Sequence, residues 1–336
     1  TYRNYGEFLA TLSEADVKAV RDNRTKTYPD LSPTVSAFAT KKSLEGHFNT
    51  KYRNFDMDTA DSMTVESYRP ARETNSGPLI GNSHAEQRFR GNSRLDVWLQ
   101  EFKTFSSERT AGTGDRLPNL SVLRLSNDHT DGLGARKPTP QFYVADNDYA
   151  LGLMVEAVSN SPYWKDTAIV VVEDDAQDGP DHVDAHRPVA LVISANNRPG
   201  ALIHEFQNTV SLIRTIELLL GIEPMNQLDA TATPMSIFRP EPDLRPYKAL
   251  LPNVALDNLI NPPPRDAATA YWMRLTDEQD LERVVGGDQV GEDRNQCLGR
   301  HRTDRVEIQL LRRRAPDGGD VILRHLAELV HQQLDE

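Results

Sequence analysis

One stretch of the sequence, residues 167–187, constrains the fold more than any other. Its apolar and largely β-branched run, residues 168–172, ends abruptly at the acidic triplet Glu173, Asp174 and Asp175. Runs of this kind form strands that are buried on both faces of an α/β sheet, and such sheets bind ligands beyond the carboxyl ends of their strands. The stretch therefore predicts a buried strand that delivers acidic side chains to a site.

The fourteen residues that begin with Glu173 also contain an unusual density of metal-binding side chains. Five aspartates and two histidines follow within this segment. Carboxylate oxygens and imidazole nitrogens are common ligands of divalent cations. Acids that follow a strand can also be a solvated loop, and that interpretation stays open. We favour a metal site because so many ligand types occur together, among them Asp174, Asp175, Asp181, His182 and His186.

A second polar cluster follows another predicted strand, residues 120–125. It contains Asn127, Asp128 and His129. A polar turn that merely closes a strand is the alternative interpretation. Only one predicted helix separates this strand from the strand at 168–172, so both strands should belong to one sheet and end at the same edge. The two clusters are therefore expected to contribute to one site.

The remaining pattern predicts the architecture around this edge. Apolar spacing predicts a helix at 95–102, a second that begins at 146–148 with Asp146 or Asn147 as its cap, and a third at 209–220. Strands that alternate with helices predict an α/β fold, a mostly parallel sheet with helices on both faces.

We expect three regions along the chain: a partial domain at 1–240, a proline-rich arm at 241–265, and a charged tail at 266–336. The tail is either helical or partly disordered.

Composition excludes several classes of partner. The net charge of −12 makes nucleic acid an unfavourable partner. No apolar stretch approaches the roughly 18 residues of a membrane-spanning helix. The single cysteine, Cys297, excludes an intrachain disulfide. The sequence also has no G-x-S-x-G, P-loop or G-x-G-x-x-G motif, so no nucleophile is identified by motif.

Several longer motifs resemble one enzyme family. These are LSNDHTDG at 125–132, the segment 139–187 that contains VVVEDDAQDGPDHVDAHR, and NTVSLIRTIELLLGIEPMNQLDATATPM at 208–235. They resemble the phosphoesterase branch of the alkaline phosphatase superfamily, especially bacterial proteins that carry an amino-terminal YncE-like β-propeller. TYRNYGEF at 1–8 and RLDVWLQEF at 94–102 are also similar to that family.

The resemblance implies a two-metal hydrolase that acts on small phosphate mono- or diesters, with Zn, Mn or Ca as the ions. By position, Asp174 and Asp175 match the residue pair that holds one metal, and Asp175 stands where histidine is usual. Asp128 and His186 match ligands of the other metal. His129 directly follows Asp128, whereas the family's histidine usually comes a few residues later. Within the branch's own motif, the additional site residues are Glu173, Asp181 and His182.

The resemblance also implies what this sequence lacks. The family's nucleophile lies near its first strand, in a segment similar to ENRTYDQ, and nothing like it occurs here. We therefore expect a carboxyl-terminal fragment whose nucleophile lies upstream of Thr1, with metal binding but little turnover. The family's export implies a periplasmic or extracellular location, although the chain carries no signal peptide of its own. The alternative function is a non-catalytic calcium-binding module.

Overall fold

The computed structural model describes residues 1–10, 37–52, 60–62, 93–130, 133, 138–173, 189–254, 263–278 and 306–312. Five of the predicted site residues lie outside these ranges: Asp174, Asp175, Asp181, His182 and His186. Asp128, His129 and Glu173 lie within them, although only the backbone of His129 is described.

The described residues form seven strands and five α-helices. The strands are β1 (Tyr2–Tyr5), β2 (Leu9–Ala10), β3 (Phe38–Ala39), β4 (Leu120–Leu125), β5 (Thr167–Glu173), β6 (Ala190–Ser194) and β7 (Val306–Arg312). The helices are α1 (Arg94–Ala111), α2 (Pro140–Ser159), α3 (Thr209–Leu220), α4 (Gln227–Thr231) and α5 (Ala267–Glu278). Short 3-10 helices occur at Lys42–Leu44, Asn127–His129 and Trp164–Asp166. Among the described helices, none combines the length and apolar character needed to cross a membrane.

Five strands form one sheet in the order β1-β4-β7-β5-β6, while β2 and β3 pair separately. Only the β1–β4 pair is parallel; β7 is antiparallel to both β4 and β5, and β6 is antiparallel to β5. The fold is α/β, but the prediction of a mostly parallel sheet is wrong because the sheet is mixed. Two features account for the difference. β6 follows β5 with no described helix between them, and β7 comes from a distant part of the sequence.

β7 occupies the middle of the sheet although it lies in the segment predicted as a charged tail. Ile308, Leu310 and Leu311 are fully buried between the two faces. Its last residue, Arg312, is also buried, and its guanidinium makes two hydrogen bonds of 2.5 Å to the carboxylate of Asp115. The prediction of a helical or partly disordered tail did not include this strand. The apolar run of β7 lies among charged residues, so the sequence pattern did not indicate a buried strand.

Helices cover both faces of the sheet, as the sequence predicted. On one face, α1 and α2 pack against alternate strand residues such as Ile169 and Val171. On the other face, α3 packs against Val170 and Val172. Side chains on both faces of β5 are therefore buried, which explains why its apolar run is continuous rather than alternating.

Capping residues set the helix boundaries. α1 begins after Ser93, whose hydroxyl accepts a hydrogen bond from the backbone N–H of Asp96 at 3.0 Å. α3 ends at Gly221, which adopts the left-handed conformation with a φ of 70°. The prediction that Asp146 or Asn147 caps α2 is wrong. Thr139 is the cap, and Pro140 occupies the first turn, so Asp146 lies inside the helix.

The described parts of the proline-rich arm, residues 241–254 and 263–265, contain no helix or strand, and residues 247–249 contact α2. The backbone N–H of Ala249 donates to the carboxylate of Glu156 at 2.8 Å, and that of Tyr247 donates to the hydroxyl of Ser159 at 2.9 Å. Gly152 lies directly against Ala249. These contacts attach the arm to the outer side of α2.

Candidate functional site

Three strands end at the same edge of the sheet. β1 is parallel to β4, and both β4 and β5 are antiparallel to the β7 strand between them, so β1, β4 and β5 share one direction. With β7 between them, β4 and β5 are separated by roughly 10 Å, or two strand spacings. The two polar clusters that the sequence singled out therefore follow strands that end at one edge, although the strands are not neighbours.

Glu173, the last residue of β5, is hydrogen-bonded at this edge to Val189, which directly precedes β6. The backbone N–H of Glu173 donates to the carbonyl of Val189 at 2.9 Å, and the N–H of Val189 donates to the carboxylate of Glu173 at 3.1 Å. Glu173 and Val189 thus form a hydrogen-bonded pair at this edge. The carboxylate of Glu173, a predicted site residue, is engaged in this pair.

Asp128 lies in the 3-10 turn Asn127–His129 that directly follows β4, and its side chain is half-buried. The next residue, Thr130, has a φ of 61°. Positive φ is unfavourable for a β-branched residue, and such strain tends to occur at functional sites. Phe8, just beyond β1, has a φ of 49° and is the other non-glycine residue with positive φ in the described part of the chain. Both strained residues follow strands that end at this edge.

A buried carboxylate, Asp61, holds the start of this turn. Its Oδ2 accepts hydrogen bonds from the backbone N–H groups of Ser126 at 3.0 Å and Asn127 at 2.8 Å, and from the amide of Asn147 at 3.1 Å. Its Oδ1 accepts from the guanidinium of Arg94 at 2.6 Å. The side chains of Arg94 and Asp61 are both 0% exposed, so this ion pair is shielded from water.

A second buried carboxylate, Asp146 on α2, holds the same turn from the other side. Its Oδ2 accepts from the side-chain amide of Asn127 at 2.7 Å and from the backbone N–H of Asp61 at 2.8 Å. Its Oδ1 accepts from the hydroxyl of Ser62 at 2.5 Å and from the Ser62 N–H at 3.3 Å. We call Asp61, Ser62, Arg94, Asn127, Asp146 and Asn147 the turn-support network.

The turn-support network contains two carboxylates but a single guanidinium, which pairs with Asp61. Burial and the neighbouring charge of Asp61 raise the pKa of Asp146, whereas the hydrogen bonds from Ser62, Asp61 and Asn127 lower it; the net pKa is raised. All four hydrogen-bond donors to Asp146 favour its ionised form. Proton uptake at Asp146 therefore competes with the contacts that hold the turn.

The sequence did not identify this network. Asp61 lies in a polar segment, and its contacts with Asn147 and Ser126 span 86 and 65 residues. One signal was present: Asp146 falls on the apolar stripe of α2, between Tyr143 and Ala150, and is fully enclosed there. A carboxylate on the buried stripe of a helix requires partners, and this pattern indicates a buried network rather than a cap.

The end of β1 adds a crowded turn to the same edge. Gly6 has a φ of 112°, and a Cβ at this position would lie 2.9 Å from the ring of Tyr52. The hydroxyl of Tyr52 donates to the carbonyl of Arg124 at 2.7 Å, and the guanidinium of Arg124 lies 3.4 Å from the carboxylate of Glu7. Only glycine can adopt this conformation without a clash, so the turn after β1 is tightly constrained.

A different carboxylate pair lies where α3 meets α4. Burial and a hydrogen bond to Asp229 raise the pKa of Glu217 to about 7. Burial opposes ionisation of Asp229, but hydrogen bonds from Glu217 and from the N–H groups of Asn226 and Met225 lower its pKa overall. Asp229 closes the capping box of α4 with Asn226, and Glu217 also pairs with the guanidinium of Arg214 at 3.2 Å.

Comparisons with protein-family models, with curated proteins and with solved structures find no match. Across the ranges that the structure describes, no group of three or more His, Cys, Asp or Glu side chains is arranged to hold a metal ion. Two of the predicted ligands, Asp128 and Glu173, have described side chains, and both lie at the carboxyl edge. The other predicted ligands remain predictions from the sequence.

Proposed function

We propose that the chain is a metal-dependent phosphoesterase-like domain whose two divalent cations bind at the carboxyl edge of the sheet. The substrate class is small phosphate mono- or diesters. The observation that carries the proposal is the common direction of β4 and β5. Because of it, Asp128 and Glu173 belong to one edge, where open α/β sheets bind ligands.

The donor set at this edge suits divalent metal ions. Asp174 and Asp175 would hold one ion, and Asp128 and His186 the other. Carboxylate and imidazole ligands are compatible with Zn, Mn and, for the carboxylates, Ca. His129, Asp181 and His182 are further candidate ligands. When bound, such ions polarise a phosphoryl oxygen and lower the pKa of a coordinated water.

The charge of the chain supports a role for metal. A protein with a net charge of −12 repels phosphate esters unless cations offset its field. The described basic side chains at this edge are already engaged, since Arg94 pairs with Asp61 and Arg124 lies beside Glu7. Divalent cations would supply the positive charge that a phosphate ester requires.

Metal content tests the proposal. Wild-type protein dialysed against Mn²⁺ or Zn²⁺ should retain about two ions per chain, as two-metal hydrolases do. Variants Asp174→Ala and His186→Ala should each lower this number, because each removes a ligand. The matched control is Glu241→Gln, which neutralises an exposed acid on the arm. Retention of both ions by the double variant Asp174→Ala/His186→Ala would overturn the proposal.

Hydrolysis provides a second readout. p-Nitrophenyl phosphate and bis-p-nitrophenyl phosphate separate monoesterase from diesterase activity. Any metal-dependent turnover should be lost in Asp174→Ala and kept in Glu241→Gln. Activity that survives alanine at both Asp174 and His186 would contradict the assignment of these ligands.

The alternative is a non-catalytic calcium-binding module. It is favoured by the excess of carboxylates over histidines in segment 173–186, since Ca²⁺ prefers oxygen ligands. This module would bind one Ca²⁺ per chain and would hydrolyse neither ester. By the same resemblance, we propose an extracellular or periplasmic location, which localisation of a tagged full-length protein in its native host would test.

A further inference from the structure

The turn that carries Asp128 makes its main described side-chain contacts with two buried aspartates. Asp61 accepts from the backbone N–H groups of Ser126 and Asn127, and Asp146 accepts from the side chain of Asn127. Together they bind the residues immediately before Asp128 on both the backbone and the side chain. The position of Asp128 therefore depends on these two carboxylates.

The network is a costly way to hold a turn. Two aspartates and an arginine are removed from water, and buried ion pairs commonly stabilise a fold less than apolar residues of similar volume. Their directional hydrogen bonds do what apolar packing cannot, which is to fix the orientation of a polar turn. Metal ligands are usually oriented in this way by partners outside the coordination sphere.

We propose that Asp61 and Asp146 are positioning residues that fix the Asn127–His129 turn and so hold Asp128 in place for metal binding. This inference rests on the proposed function. Neither aspartate touches the ion or the substrate, because both are fully buried beneath the turn.

The geometry requires a carboxylate at position 146. Each of its oxygens faces two donors: Ser62 N–H and hydroxyl on one side, Asp61 N–H and the Asn127 amide on the other. Asparagine at this position would direct an NH2 group at one of these donor pairs. Rotation of the Asn127 amide cannot relieve this conflict, since its Oδ1 already faces the Arg94 guanidinium at 3.5 Å.

Asp146→Asn therefore tests the inference, with Leu151→Ala as the matched control. Leu151 lies on the same helix and is buried, but it packs in the apolar core beside α1 and the sheet rather than against the turn. The first readout is amide hydrogen exchange at Ser126 and Asn127. The second is the affinity for Mn²⁺, measured by calorimetry on folded protein. Ser62→Ala, which removes a single hydroxyl donor, is a milder variant that decides the matter if Asp146→Asn does not fold.

We expect faster exchange at Ser126 and Asn127, and Mn²⁺ binding weakened by roughly 10–100-fold in Asp146→Asn, as for other residues that orient metal ligands. Ser62→Ala should show a smaller loss in the same direction. Leu151→Ala should lower thermal stability yet bind Mn²⁺ as the wild type does. Equal loss of affinity in Leu151→Ala would show a general effect of stability and would overturn the inference.

The failure of the inference and the failure of the proposed function are distinguishable. Wild-type protein that binds no Mn²⁺ would remove the proposed function and this inference with it. Wild-type protein that binds Mn²⁺, together with unchanged affinity in Asp146→Asn and Ser62→Ala, would remove only the positioning role.

Discussion

Two regions of the molecule bury a pair of carboxylates, and they accommodate the charge differently. At the carboxyl edge, Asp61 pairs with the guanidinium of Arg94, and both Asp61 and Asp146 accept hydrogen bonds from N–H donors. Where α3 meets α4, Glu217 shares a hydrogen bond with Asp229 and also pairs with the guanidinium of Arg214 at 3.2 Å. The guanidinium of the first region is fully buried, whereas Arg214 is partly exposed and the pKa of Glu217 is raised to about 7.

The two pairs of carboxylates have different structural roles: the first orients a turn, and the second connects two helices. The turn-support network joins four segments distant in sequence, at 61–62, 94, 126–127 and 146–147, around the turn that carries Asp128. The pair at α3 and α4 joins residues only 12 positions apart, and its Asp229 completes a capping box with Asn226. Loss of the network should therefore affect the whole edge, and loss of the pair should remain local.

Removal of the cation should have the largest effect. Arg94→Met leaves Asp61 buried without its positive partner, and removal of one partner from a buried ion pair typically costs about 3–5 kcal/mol. Urea denaturation should show a correspondingly lower free energy of unfolding. The control is Arg116→Met, whose side chain is 62% exposed and pairs with Glu108; such exposed pairs contribute little to stability. Equal losses in the two variants would contradict the comparison.

The proton-linked pair should show the next largest effect, and that effect should depend on pH. The pKa of Glu217 is about 7 in the folded state and 4.5 ordinarily, so the folded protein retains a proton that the unfolded chain releases. The contribution of Glu217 is therefore fully present below pH 4.5 and is lost as pH rises through 7. Glu217→Gln keeps a neutral donor at every pH, so it should reduce this dependence.

The measurement is thermal unfolding of wild type and Glu217→Gln at pH 5 and pH 8. The variant should be more stable than wild type at pH 8, by an amount on the order of 1–2 kcal/mol, and similar to it at pH 5. Glu223→Gln, an exposed acid on the same connection, is the control and should show no such difference. Equal destabilisation of Glu217→Gln at both values would exclude the shared proton.

A single donor in the turn-support network should have the smallest effect. Asn147→Ala removes the 3.1 Å hydrogen bond from its amide to Asp61 but leaves Arg94 and the backbone donors in place. Loss of one buried hydrogen bond costs about 1–2 kcal/mol. Chemical denaturation should show this loss at both pH 5 and pH 8. No measurable loss at either pH would contradict a structural role for this hydrogen bond.

Local sequence patterns predicted the elements whose signals are local. β4 and β5 are apolar runs that end on polar residues, and α3 has a periodic apolar face followed by Gly221. β7 was missed because its apolar run lies among charged residues and its partners are more than 100 residues away. The mixed sheet follows from that strand, so its topology could not be predicted from alternation alone.

For the candidate site, the sequence predicted the edge but not its support. Acids after two apolar runs located Asp128 and Glu173. The hydrogen bonds between residues 61–62 and residues 146–147 join positions 84 to 86 residues apart, and no local pattern encodes such pairs. The assignments of Asp174, Asp175, Asp181, His182 and His186 as ligands stay predictions.

The central claim is that this edge binds two metal ions, and anomalous X-ray scattering from crystals grown with Mn²⁺ tests it most directly. We predict two anomalous peaks about 3.5–4 Å apart beyond the carboxyl ends of β4 and β5, with Asp128 at one of them. A crystal saturated with Mn²⁺ that shows no peak at this edge would contradict the claim.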